Sequence, residues 1–353
     1  MKKIAIIGSG YFGCTLAFFL SKNKNLTIDI FEKENEILRG VSSSNQQRFH
    51  KGYHYPRSPK TVFEIAHSEK DFLNFYGKDV LGKTNNYYGI SKKNSRTSFS
   101  NYLSFLKDHQ LKYNLINKKI FSDSVSPALK TEEKNLNFFK IKKKIIKLIQ
   151  KKNINVNFNY NFKRKDFFNY DKIIIAAYDQ NNRILKNLGF KNSKLEKFKY
   201  ELIEKIVIKL PSKYKKNSYI VLDGKFGCVD PYLGTNYHLL SDNLLSKIEI
   251  TRGYLPIFKN FKKKFINKGL VYELKNSKFK EIKNRLSKIM PFLQYAEYVG
   301  SFYATRTIKN NVEKTDERKS YFRIIDNKVI TVLAGKWINC VTIAKKLRKI
   351  LVV

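Results

Sequence analysis

The chain has 353 residues, enough to bury a large core and commonly to form two domains, and an apolar fraction of 42% excludes a disordered polymer. Its formal net charge of +41 invites a nucleic-acid reading, but the lysines are spread along the whole sequence among Asn, Ile, Tyr and Phe, with no RNA-binding aromatic signature and no zinc-finger spacing. The pattern is that of a solvated basic surface whose field favours a small anionic substrate, and no specific nucleic acid is expected as a partner.

Residues 4–7 read as an apolar strand, Gly8-Ser9-Gly10-Tyr11-Phe12-Gly13 as a glycine turn, 14–20 as a helix and 26–31 as a second strand closed by Glu32. Strand, glycine turn, helix, strand and an acid at this interval form the dinucleotide-binding fingerprint. Gly8 permits the tight turn, Gly10 lets backbone approach a pyrophosphate, and Gly13 lets helix pack on strand. Glu32 is suited to accept from a ribose hydroxyl, which argues against a 2′-phosphate there. The same stretch has the outline of a signal peptide, but glycines interrupt it and no small-x-small site follows. No apolar run approaches the ~18 residues of a membrane helix. Cys14, Cys228 and Cys340 stand far apart without metal spacing, as in a reducing compartment. The expectation is a cytoplasmic protein with no transmembrane segment and no metal.

A polar loop over 42–47 leads to His50 and His54, four apart and therefore on one face of a strand-like stretch. Helical spacing follows over 60–81, then a helix over 99–109 among short strands, and renewed helical periodicity over 141–149. Ile154, Val156 and Phe158 alternate as a strand, and residues 171–177 form a continuous apolar run of the kind buried on both faces of a parallel sheet. Residues 198–210 and 218–229 read as long antiparallel strands, 278–290 as a helix stopped by Pro291, 329–333 as a strand and 338–351 as an amphipathic helix. A βαβ opening, a buried strand mid-chain and a closing strand-turn-helix predict an α/β fold. Its Rossmann-like nucleotide-binding domain would be built from discontinuous segments (1–86, 140–196 and 300–353), with an inserted β-rich α+β substrate domain (87–139 and 197–299).

The opening fingerprint, the segment from Gly40 to Tyr55 and the closing Ala334-Gly335-Lys336-Trp337 together resemble the FAD-dependent oxidoreductases of the D-amino-acid oxidase superfamily. The spacing Ser42-x-x-Asn45-x-x-x-x-His50-x-Gly52-x-x-Tyr55 is most similar to the L-2-hydroxyglutarate dehydrogenase branch, and Gly-Lys-Trp to the glycerol-3-phosphate dehydrogenases. The resemblance implies FAD as cofactor, held by Gly8, Gly10, Tyr11, Phe12, Gly13 and Glu32, with Ser42 and Ser43 along the pyrophosphate and Asn45, Gln46 and Gln47 passing the flavin ring. Val156 and Ala177 join that cofactor-binding set, and Gly335, Lys336, Trp337 and Ile338 face the pyrimidine edge. It implies His50 or His54 as the group that assists the proton, and Arg306 as the clamp on a substrate carboxylate. Pro231, Tyr232 and His238 are further pocket candidates. Tyr178 departs from the pattern, standing where the family's mid-chain strand runs into Ala-x-Gly.

The expected activity is FAD-dependent oxidation of a small 2-hydroxy acid or amino acid by hydride transfer, to an electron acceptor that the sequence does not specify. A flavin-dependent sugar-nucleotide mutase, an FAD-binding tRNA-modifying protein and a non-catalytic relative are the alternatives.

Overall fold

The computed structural model describes every residue except Asn153, Asn311, Glu313, Lys314, Asp316, Val352 and Val353. The opening unit sets the frame. Strand β1 (Lys2–Ile7) runs through the glycine turn into helix α1 (Tyr11–Leu20), and β2 (Leu26–Phe31) pairs parallel with β1, Ile4 beside Ile28 and Ile6 beside Ile30. Gly8 has φ +103°, and a Cβ on Gly13 would lie 1.9 Å from the Gly8 carbonyl oxygen. Only glycine lets helix and turn close on each other here.

The chain then leaves this sheet through α2 (Val41–Ser44) and β3 (Arg48–Phe49) to reach α3 (Pro59–Tyr76). The expected strand carrying His50 and His54 does not form. Gly52 at φ +116° and successive turns, Tyr55 N–H to Gly52 C=O and Ser58 N–H to Tyr55 C=O, coil the segment instead. Helix α3 stops at Gly77 (φ +80°) rather than at residue 81, and a single 3₁₀ turn follows.

Next come β4 (Asn85–Ile90), α4 (Phe99–Asp108), β5 (Tyr113–Ile116), β6 (Ala128–Thr131) and β7 (Lys134–Asn135). Helix α5 (Phe138–Lys151) buries Phe138, Ile141, Ile145 and Ile149 along one stripe and returns the chain to the first sheet. There β8 (Asn155–Asn157) pairs parallel with β2, and β9 (Lys172–Ile175) with β1. After α6 (Asn181–Asn187), the strands β10 (Phe198–Lys209), β11 (Asn217–Leu222), β12 (Gly227–Tyr232), β13 (Tyr237–Asp242) and β14 (Lys247–Gly253) build a second sheet. The antiparallel stretch expected over 218–229 forms two strands that part at Asp223-Gly224, where the sequence offers turn chemistry. Strand β14 has no fully buried residue and sits at the sheet edge, so no apolar face marks it in the sequence.

Helix α7 (Phe279–Ser287) and the long β15 (Glu297–Lys309) precede β16 (Tyr321–Ile324), β17 (Val329–Leu333) and the last helix, α8 (Cys340–Leu351). The first sheet has six strands in the order β16-β17-β9-β1-β2-β8, parallel except at β16–β17. The second has nine, β14-β10-β13-β12-β11-β4-β6-β5, with β15 paired along the whole of β10. The largest apolar cluster lies under α1, α3, α5 and α8 and includes Ile6, Leu16, Phe72, Ile141 and Leu347. The molecule is a mixed α/β structure with a Rossmann-like sheet, as the sequence predicts. Among the described residues no helix is long and apolar enough to cross a membrane.

Candidate functional site

The turn between β1 and α1 opens onto the molecule's main cavity. Gly10 is the N-cap of α1, and no side chain satisfies the helix's first N–H groups. A Cβ on Gly10 would meet only the Ser42 hydroxyl, at 3.3 Å, so the backbone there is bare toward the cavity. Uncapped N–H groups and the helix dipole make an anion site. Beside it, Glu32 Oε2 accepts from the Ser9 N–H (2.8 Å) and hydroxyl (2.7 Å), and Oε1 from the Glu34 N–H (3.0 Å). These bonds fix a carboxylate at the end of β2, where the fingerprint requires it.

The cavity, about 1560 Å³, is lined by residues of both large sheets. Gly8, Gly10, Tyr11, Phe12, Glu32, Ser42, Asn45, Gln46, Ala177, Gly335, Lys336 and Trp337 line it, together with His50, His54 and Arg306. Four expected contacts do not reach it. Gly13 lies behind the turn, serving helix packing. The Ser43 hydroxyl is turned back to the Arg39 and Gly40 carbonyls, both at 2.9 Å. Val156 packs against the main core from β8, and Ile338 is buried within that core. Pro231, Tyr232 and His238 are also absent from the lining; His238 is buried with Nε2 3.0 Å from the Tyr214 carbonyl oxygen.

Away from the glycine turn the lining changes character. Arg48 is buried, its Nε 3.1 Å from Asp230 Oδ1 and its Nη2 on Oδ2, while Nη1 lies 3.3 Å from His54 Nδ1. Asn135 and Ser218 also donate to Asp230. His50 Nδ1 stands 3.0 Å from Oε1 of the fully buried Glu133, whose Oε2 accepts from the Tyr88 hydroxyl. The two imidazoles lie 5.8 Å apart.

Burial holds both histidines well below their ordinary pKa, helped at His50 by Lys336 and Arg48 and at His54 by Arg48 and Lys336. Burial pushes the Glu133 carboxyl up to about 7, with Arg48 opposing. Burial, then Arg48, lowers Lys336 to about 7, and burial lowers Lys205 to about 8. Lys205 Nζ donates to Gln46 Oε1 at 2.6 Å. The site therefore concentrates shifted groups, as functional sites do. Arg48, Glu133, Lys205 and Asp230 are not marked in the sequence. Arg48 and Asp230 are 182 residues apart, and only sheet pairing brings them together.

Arg306 lines the cavity from β15 but does not stand free. Its Nε donates to Glu201 Oε2 at 2.6 Å, and its Nη2 reaches the same oxygen. Burial alone would raise the Glu201 carboxyl; the Arg306 charge and hydrogen bond, with Lys247 and Lys199, together outweigh it and hold the group below its ordinary value. Tyr178, where the sequence resemblance led to the expectation of a glycine, adopts φ +56°, the left-handed conformation that glycine takes most readily. Its hydroxyl accepts from the Thr307 N–H (2.9 Å) and donates to the Thr307 carbonyl (3.2 Å), so the ring is tied to β15.

Comparisons with known proteins agree with this architecture. The family of NAD(P)-binding Rossmann-like domains matches residues 6–76. An FAD-dependent monooxygenase of Aspergillus flavus, kojA, is 35% identical over 79 residues, and a second, FPY4 of Fusarium mangiferae, is 26% identical over 103. These matches span 22% and 29% of this chain and only 18% and 28% of those proteins. Among solved structures, the L-α-glycerophosphate oxidase of Mycoplasma pneumoniae with FAD bound superposes with a TM-score of 0.71 at 16% identity, covering 100% of this chain and 96% of that one. The glycine oxidase of Geobacillus kaustophilus gives 0.67 at 13%, covering 100% and 94%. The chain therefore carries a Rossmann-like dinucleotide-binding domain and shares its overall fold with these FAD-dependent oxidases.

Proposed function

We propose that this chain is an FAD-dependent oxidoreductase that oxidises a small anionic substrate, a 2-hydroxy acid or an amino acid, at the carbon bearing the hydroxyl or amine. The residues present fit the cofactor. A bare helix N-terminus suits a pyrophosphate, Glu32 suits a ribose, and the cavity continues far enough to take a second ring system. FAD, when bound, supplies the two-electron acceptor.

The observation that carries the reading is the pair of neutral histidines on the cavity wall, set among the cationic groups of Arg48, Lys336 and Lys205. A neutral imidazole takes the proton of a hydroxyl or ammonium group, and surrounding cations hold an acid in place. Lys336 and the turn at Gly335 place positive potential against developing negative charge. Arg306 enters as a guanidinium already paired with Glu201, so its role as clamp requires substrate to share it.

The test is an absorption spectrum of the purified protein, followed by anaerobic mixing with a panel of 2-hydroxy acids, amino acids and glycerol phosphate. Bound flavin bleached by one of these classes is expected. A colourless protein that binds NAD instead overturns the assignment.

A further inference from the structure

The two histidines that line the cavity are held through the same ring atom by opposite kinds of partner. His54 Nδ1 lies 3.3 Å from Nη1 of Arg48, whose other donors are engaged by Asp230. A guanidinium can only donate, so in neutral His54 this nitrogen must accept, and the ring proton sits on Nε2. His50 Nδ1 lies 3.0 Å from Glu133 Oε1. The approach is an ion-pair distance rather than a formed hydrogen bond, and neither atom has any hydrogen-bond partner among the described residues, so each is the other's nearest way to be satisfied. The other carboxylate oxygen of Glu133 is taken by the Tyr88 hydroxyl. An ionised carboxylate can only accept, so Nδ1 of His50 must carry the proton and Nε2 the lone pair.

We infer that the two histidines are fixed in opposite tautomers, His50 by Glu133 and His54 by Arg48, so that His50 is the proton acceptor for substrate and His54 the hydrogen-bond donor to it. The roles rest on the oxidoreductase reading; the tautomers do not. Glu133 and Arg48 are then positioning residues, acting through the rings. In the proposed step, the proton of the substrate hydroxyl or ammonium passes to His50 Nε2, leaving the adjacent carbon ready to give up its hydride; FAD, when bound, would supply the two-electron acceptor. His54 Nε2–H meanwhile bonds a substrate oxygen or nitrogen.

The pair of carboxyl and imidazole also sets a pH dependence. Lys336, Arg48 and His54 face His50, and Arg48, Asp230, Tyr88 and the Lys51 backbone face Glu133. Below about 7 the Glu133 carboxyl gains a proton and can donate to Nδ1, which moves the ring proton to Nε2 and removes the acceptor. Reduction of the bound flavin is therefore expected to rise with pH through about 7.

Five histidines make the tautomers directly readable. In protein labelled with ¹⁵N-histidine, long-range ¹H–¹⁵N spectra at about pH 8 should show His50 protonated on Nδ1 and His54 on Nε2, with each ring assigned by loss of its signals in His50→Gln and His54→Gln. In Glu133→Gln, the amide oxygen can serve Tyr88 while its N–H₂ faces His50, so His50 should switch to Nε2–H. This swap should slow flavin reduction by roughly 100-fold or more and abolish the pH limb, with flavin content unchanged. Glu133→Asp should restore part of the rate. The same tautomer in both wild-type rings, or a Glu133→Gln protein with the wild-type pH profile, overturns the inference; if Glu133→Gln does not fold, the wild-type spectra alone decide. Opposite tautomers in a flavoprotein that no hydroxy or amino acid reduces would uphold the pinning and overturn the oxidoreductase reading.

Discussion

Glu201 and Arg306 are direct partners across the β10–β15 ladder, and the guanidinium closes on a carboxylate that is only 2% exposed. An arginine drawn from the sequence as a ligand for substrate is thus also the counter-ion of the protein's own acid.

Arg306→Leu should destabilise the protein by roughly 1–3 kcal/mol, because it leaves the buried Glu201 carboxylate with only the more distant Lys199 ammonium, at 3.7 Å. Replacing Glu201 by Leu in the same chain should recover most of that loss. Urea unfolding of the two variants measures both. A single variant as stable as the wild type would show that Glu201 finds another partner.

The glycine turn separates binding from folding. Gly13→Ala places a methyl group 1.9 Å from the Gly8 carbonyl oxygen, a backbone atom that cannot step aside, so stability should fall by roughly 2–4 kcal/mol. Gly10→Ala meets only a serine hydroxyl and should fold with nearly unchanged Tm, yet retain much less flavin. Melting curves and the flavin released on denaturation distinguish the two. Equal flavin content in Gly10→Ala and wild type would remove the pyrophosphate from this turn.

Glu32→Ala should weaken FAD binding by about 1–3 kcal/mol through lost ribose hydrogen bonds. Because Glu32 also anchors Ser9 and Glu34, a loss of about 1 kcal/mol in stability of the flavin-free protein should accompany it. Titration calorimetry gives the first quantity and denaturant midpoints the second. Unchanged FAD affinity would place the ribose elsewhere.

Glu133 predicts a stability trend opposite to that of ordinary paired carboxylates. Its folded pKa, about 7, lies above the 4.5 of the free side chain, so between those values the native state holds the extra proton and stability falls as pH rises. Glu133→Gln, which cannot ionise, should gain on wild type as pH is raised from about 5 to about 8. Unfolding midpoints of both proteins at the two pH values give the comparison, and a constant difference would show that Glu133 stays ionised throughout.

The glycine turn and the acid that follows β2 were legible because their determinants are local. Gly8, Gly10, Gly13 and Glu32 act through a turn and one strand pair, and their spacing alone describes that geometry. His50 and His54 were found for a reason the structure replaces, since a coiled turn and not a strand face brings their rings together. The polar half was hidden. Arg48 with Asp230 and His50 with Glu133 meet only when distant strands pair, and no periodicity records which buried carboxylate will face which ring. Ser43 and Ile338 stand next to true lining residues, and one step along a turn or helix start was enough to point them away.

Tyr178 ties two parts of the cavity wall together. Its hydroxyl grips both backbone groups of Thr307, the residue after Arg306, while its own backbone opens the 3₁₀ turn that follows β9. The tyrosine is therefore a bolt between the floor of the cofactor cradle and the strand that carries the Glu201 counter-ion pair. With the bolt in place, the distance between these two walls is set by covalent ring geometry rather than by what occupies the gap.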